Sequence, residues 1–232
     1  MKKIGFIGAF DKMDFILYVA KMLTALNNKV LIVDSTVNQK AKYIVPVINP
    51  TKSYITEFEG IDVAVGFYSF EQINNYLLNP EETQLGYDII LLDIDSAEAF
   101  ENFVMYDAEL NYFVTSFDLF SLKKGLEILS GLRTEVEMIK ILFSKTMSKE
   151  EDDYLNFLSM RFKIKWNEDK IYFPFEMGDQ TVIISNQRVS KIKYKNLTQQ
   201  YKDGILIITS QITKIDNLNE LRKTLKSIEK GV

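Results

Sequence analysis

The chain has 232 residues, is 47% hydrophobic and carries a formal net charge of −4. That length and apolar content suit one globular unit, 1–232, with a large core, and the acidic balance gives no global field that would draw it to nucleic acid. The sequence contains neither Cys nor His, which excludes thiol nucleophiles, disulfides, Cys/His zinc sites and imidazole bases; any catalysis has to use carboxylates, lysines, hydroxyls or a bound ion.

Residues 3–8, KIGFIG, read as a buried strand. The first ten residues have the outline of a signal peptide, but Asp11, Lys12 and Asp14 interrupt the apolar run. No run approaches the ~20 apolar residues of a membrane span, and the expected location is the cytoplasm. Ile16, Val19, Ala20, Leu23 and Leu26 recur at helical spacing, which predicts a helix over 12–27. VLIVD (30–34) is a second buried strand. The rhythm continues with a strand at 61–67, a helix at 69–78, a strand at 87–95, a strand at 110–116, a helix at 117–130, a strand within 135–145 and a helix at 149–160. Apolar strands without alternation, separated by helices, predict an α/β fold: a mostly parallel sheet with helices on both faces. After about 162 the pattern weakens. KIYFPFE (170–176) and QTVIISN (180–186) read as short strands. GILIITSQI (204–212) fits a strand by composition, but Tyr201, Ile205, Ile208 and Ile212 share one helical face, and helix is favoured. LNELRKTLKSIEK (218–230) is an amphipathic helix through Leu218, Leu221, Leu225 and Ile228, read as a core-packing final helix.

The first 34 residues resemble the start of the ParA/MinD group of deviant-Walker P-loop ATPases. In that group a strand leads into a loop of type K-G-G-x-G-K-T-T, then a helix with an L-A-x-x-L pattern and a V-L-x-V-D strand. Here VAKML (19–23) matches the helix and VLIVD the second strand. Counting back from them places Lys12 at the loop lysine and Gly8 at the first loop glycine. YDIILLDID (87–95) resembles the Walker B strand, with Asp93 at its acid. LNYFVTSFDLFSLKKGLEIL (110–129) resembles the later strand and helix. The resemblance covers roughly residues 1–145 and implies a P-loop NTPase architecture.

The departures fall on the chemistry. The motif G-x-x-x-x-G-K-[ST] needs glycines so that backbone N–H groups can wrap phosphates. Phe6 and Asp11 stand at its two glycine positions. Met13 stands where a hydroxyl should bind Mg²⁺, and a thioether is a poor ligand for that hard cation. Ile7 takes the place of the signature lysine that reaches across a dimer. A carboxylate about 5 Å from a phosphate charge, at an effective dielectric near 20, costs roughly 3 kcal/mol, over a hundredfold in affinity. Asp11 and Asp14 both flank Lys12.

The candidate vestigial nucleotide site is therefore Gly8, Asp11, Lys12, Met13, Asp34 and Asp93, with no cofactor expected and no catalytic or metal residues assigned. Lys12 is either a surviving phosphate ligand or a solvated lysine paired with Asp11 or Asp14. Gly8 serves either a close backbone approach or a plain strand-to-helix turn. Asp34 and Asp93 end strands where open α/β sheets bind ligands, or else cap the following helices or persist from an ancestral site; Asp95 is read either as a cation ligand with Asp93 or, preferentially, as a cap. Arg188, Lys191, Lys193 and Lys195 form a candidate surface for non-specific DNA, or a solvated face. Two stretches rich in aromatic residues, 100–113 and 154–166, are either core or interface. The resemblance implies a homodimer with an unidentified protein partner. The expected role is a non-hydrolysing positioning, assembly or partition adaptor, with TadZ-like proteins as the nearest family role. The alternative is an active ATPase using MgATP on Lys12, Asp34 and Asp93.

Overall fold

The computed structural model describes residues 1–48, 50–77, 85–144 and 149–230. Among them, eight strands form one sheet: β1 (Lys2–Ile7), β2 (Val30–Asp34), β3 (Tyr54–Phe58), β4 (Ile61–Val65), β5 (Ile89–Ile94), β6 (Leu110–Ser116), β7 (Val136–Ser144) and β8 (Ile164–Pro174). Their spatial order is β3-β4-β2-β5-β1-β6-β7-β8. All neighbours are parallel except β3 and β4, an antiparallel pair at one edge. The helices are α1 (Met13–Ala25), α2 (Ala41–Ile44), α3 (Phe70–Leu77), α4 (Ala97–Asn102), α5 (Leu119–Ser130), α6 (Lys149–Ser159), α7 (Met177–Arg188), α8 (Gln199–Thr213) and α9 (Leu218–Lys230).

The strands lack alternation because both sheet faces are covered. Ile4 and Phe6 of β1 enter one core, with Ile16, Val19 and Leu23 of α1 and Ile205, Ile208 and Ile212 of α8. Ile7 enters the other, with Ile73 of α3, Phe100 of α4, Leu122 of α5 and Leu155 of α6. The α/β architecture expected from sequence is the one observed. The expected ends at Leu78 and Lys145 lie outside the described residues.

One expected strand is a helix. QTVIISN forms the middle of α7. Its β-branched residues suggested a strand, but Val182 and Ile183 pack on the α1-side core. The helix is also pinned in its first turn: Thr198 donates to Asp179 from both its N–H (2.6 Å) and its hydroxyl (2.7 Å). Docking outweighs local propensity here. KIYFPFE supplies the end of β8 as far as Pro174, GILIITSQI lies within α8, and α2, β3 and α4 were not expected. Of the two aromatic stretches, Phe100, Phe103, Tyr112 and Phe113 are core, whereas Tyr154, Phe157 and Met160 are exposed.

Because β1, β2 and β5 are adjacent and parallel, their carboxyl ends meet at one sheet edge. The loop 8–12, the segment 35–40 and the turn at 95–96 converge there.

Candidate functional site

Gly8 extends the β1 ladder by donating its N–H to the Ile94 carbonyl at 3.0 Å. Its φ is +143°, and a Cβ there would lie 2.1 Å from the carbonyl oxygen of Val114. The glycine is needed because the loop passes against the backbone of β6, whether or not any ligand is present.

Lys12 immediately precedes α1 and is 3% exposed. Its Nζ donates to the Gly8 carbonyl at 2.7 Å and lies 2.6 Å from Asp93 Oδ1. The expectation of a solvated lysine paired with Asp11 or Asp14 is therefore corrected. The first turn of α1 points the side chain into the sheet edge, where an ammonium is tolerated only beside a carboxylate.

Asp11 and Asp14 pair instead with Lys40, at 2.5 Å each. Lys40 precedes α2 and was not a sequence candidate. Burial alone would lower its pKa, but the charges of Asp14 and Asp11 outweigh that and raise it. Two carboxylates flanking one loop lysine did signal that a further cation was needed. Nothing in the sequence said which of the 28 Lys and Arg residues it was.

Asp34 and Asp93 face each other in register on β2 and β5. Asp34 accepts from the Thr36 hydroxyl (2.6 Å), the Thr36 N–H (3.2 Å) and the Ala41 N–H (2.8 Å), so it holds the turn and the start of α2. Burial raises its pKa. Asp93 is pushed up to about 7, chiefly by burial, with Lys12 opposing and the Asp34 charge adding to the rise. Asp95 accepts from the Val37 N–H at 3.0 Å. The capping expected of it falls to Ser96, whose hydroxyl accepts from the Ala99 N–H. Met13 is wholly buried in the α1-side core, where its thioether serves packing.

A cleft of about 450 Å³ opens between the loop and the 36–43 segment, with Lys12, Lys40, Asp11 and Asp93 on its walls. On the other side of the loop is a groove of about 400 Å³ bounded by Phe10, Phe143 and Phe175. Phe10 stacks on Phe143 with ring centroids 4.5 Å apart. Lys40 and Asp11 border both spaces. Among the described residues, no group of three or more carboxylates is placed to hold a metal ion. Arg188, Lys191, Lys193 and Lys195 are exposed, away from the cleft, and alternate with buried Ile192 and Tyr194. Lys191 is paired with Glu59 at 2.8 Å.

The sheet order, the β1–α1 loop and the acid on β5 define the fold of the ParA/MinD-type P-loop ATPases. No family model matches the sequence, and no curated protein matches it. Solved structures do match. A ParA family ATPase from Chlorobium tepidum TLS superimposes with a TM-score of 0.55 at 18% identity, over 90% of this chain and 97% of that one. A putative plasmid partition protein from Borrelia burgdorferi B31, bound to AMPPNP, gives 0.56 at 16%, over 93% and 100%. The Aquifex aeolicus MinC:MinD cell division complex gives 0.57 at 12%, over 93% and 96%. The likeness is one of fold. No helix among the described residues is long and apolar enough to cross a membrane.

Proposed function

We propose that this chain is a ParA/MinD-like protein with a degenerate phosphate loop. In this reading it does not hydrolyse ATP, and it acts in the cytoplasm, as a homodimer, as a positioning, assembly or partition adaptor. The observation that carries the reading is that both lysines of the cleft are neutralised by the protein's own carboxylates: Lys12 by Asp93, and Lys40 by Asp11 and Asp14. A triphosphate would have to displace Asp93 from Lys12 and sit beside two further acids, each costing roughly 3 kcal/mol at about 5 Å. Buried Met13 offers Mg²⁺ no oxygen. Ile7, where the resemblance expects the signature lysine, is locked in the sheet between Ile94 and Phe113 and reaches no partner. Support for a partner-docking role comes from the Aquifex neighbour, which is seen in complex with MinC.

One observation favours an active ATPase instead. Among the described residues, the amides of Ala9, Phe10 and Asp11 donate to no protein acceptor, and these residues line the cleft beside Lys12. Thermal unfolding and phosphate release at millimolar MgATP decide between the two. The adaptor reading expects no rise in Tm and no release above the blank. A rise of several degrees accompanied by turnover would establish the ATPase.

A further inference from the structure

Helix α6 and the turn after it leave three large apolar side chains exposed. The inner side of the helix is well anchored: Leu155 is in the core, and buried Asp152 holds Lys140 at 2.6 Å. Its outer side carries Tyr154 and Phe157, the latter 68% exposed, and Met160, just past its last turn, is 74% exposed. At 3.6 residues per turn Glu150, Asp153, Tyr154 and Phe157 fall within an arc of about 100° on the helix, and Met160 and Arg161 follow in the turn that ends it. Exposed aromatics concentrated on one arc mark an interaction surface rather than scattered surface apolarity.

Charge is graded along this arc. Glu150 and Asp153 stand at the N-terminal end, where the helix dipole favours acids. Arg161 stands just past the C-terminal end. All three are exposed and none has an ion pair among the described residues, although Lys170, itself held by Asp152, lies within the field of Asp153. The face therefore runs acid, apolar, base.

We propose that this face binds the same face of a second copy of the chain, antiparallel, about a two-fold axis at Phe157. A two-fold interface must be complementary to itself, and the acid–apolar–base order meets that condition only in the antiparallel sense. With Phe157 against itself, Tyr154 lies opposite Met160 of the partner subunit, and Asp153 opposite Arg161 of the partner subunit. A different protein would need a matching base–apolar–acid face, which this chain already supplies. A fully buried aromatic covers ~150–250 Å², so Tyr154 and Phe157, even with Met160 added, fall short of the about 800 Å² per partner of a standard interface, and a weak, reversible dimer is expected. The surface is separate from the cleft, because α6 covers the sheet face opposite α1. Pairing through α6 is thus independent of nucleotide, unlike the nucleotide-closed dimer that the family resemblance implies.

Sedimentation velocity of the full chain across the micromolar range, with and without MgATP, tests the proposal. A monomer–dimer equilibrium unchanged by MgATP is expected. Phe157→Asp, which places two carboxylates at the axis, should weaken it about a hundredfold or more. Asp153→Arg should weaken it about tenfold, and adding Arg161→Asp should restore it to within about threefold. The substituted positions are exposed, so the variants should melt as the parent does, which separates lost pairing from lost folding. A parent that stays monomeric overturns the proposal and the homodimer of the proposed function, and leaves only the non-hydrolysing cleft standing. A dimer that survives Phe157→Asp, or a double variant that fails to recover, overturns the proposal alone. A dimer that forms only with MgATP overturns the proposal and shows that the cleft holds the nucleotide, and phosphate release then decides whether it is hydrolysed.

Discussion

Lys12 occupies the position of a phosphate ligand, yet its charge is already satisfied within the fold. Removing one member of a buried ion pair strands the other. Lys12→Ala is expected to cost about 3 kcal/mol at pH 8, measured by urea unfolding, where a solvated lysine would cost within ~0.5 kcal/mol. The loss should shrink at pH 5, where Asp93 is protonated and needs no partner. Asp93 also sets a pH dependence of its own. Its folded pKa is about 7, against 3.8 for an ordinary Asp. The folded state thus keeps a proton that the unfolded chain has released, and stability falls as pH rises between those values. Each pH unit over which only the folded state holds that proton removes about 1.4 kcal/mol, so the fall is of order 2–4 kcal/mol. Stability curves of the parent and Asp93→Asn from pH 4 to 8 should converge or cross in that direction; parallel curves would refute the raised pKa. Position was legible in the sequence at this scale and pairing was not. Counting back from VAKML located Lys12, and the apolar run before Asp93 located a strand end. Their contact depends on β1 and β5 lying side by side, which no local pattern records.

The loop and its flanking elements show which parts of the pattern carry packing rather than ligand chemistry. Gly8 is held at φ +143° against the Val114 carbonyl. Gly8→Ala is expected to lower stability by about 2–4 kcal/mol through strain at that contact, seen as a lower urea midpoint at unchanged slope. Gly178, in the first turn of α7, has open space where its Cβ would go. Gly178→Ala should therefore stabilise by ~0.5–1 kcal/mol, and equal effects at the two glycines would refute the packing argument. Most regular elements up to about residue 160 were legible because their apolar residues repeat with the period of the structure they form, whereas α2, β3 and α4 were missed. The segment QTVIISN was not. Its few apolar side chains are β-branched, and what makes it helical is Asp179 docking on Thr198 and packing beside α1. The Lys40 bridge was hidden for a related reason. It links the approach to α2 with the loop and first turn of α1, a contact created only when both elements lie on the same sheet face.

On the scale of the whole molecule, α8 and α9 decide whether the chain's last helix is structural or a detachable surface anchor. An amphipathic helix with Lys223, Lys226 and Lys230 on its polar side has the composition of a membrane-surface segment as well as that of a core helix. The two roles compete for one apolar face. Here Leu221 and Leu225 are buried in the core shared with α1 and α8, Leu218 and Ile228 pack against it, and Lys202 of α8 ties Glu229 at 2.7 Å. At about 1.5–3 kcal/mol per buried apolar side chain, freeing the helix would forfeit on the order of 6 kcal/mol. That is comparable with the entire 5–15 kcal/mol stability of an ordinary domain. A marginal interfacial helix gains too little from lipid to offset such a loss. The full chain is therefore expected not to co-sediment with anionic phospholipid vesicles at low ionic strength. A chain truncated after Asp216 should unfold or aggregate rather than persist as a folded protein without its tail, as circular dichroism melting would report. A truncated chain with a sharp melting transition close to the parent's, together with vesicle binding that disappears on truncation, would instead make α9 an anchor lying on the fold rather than part of its core.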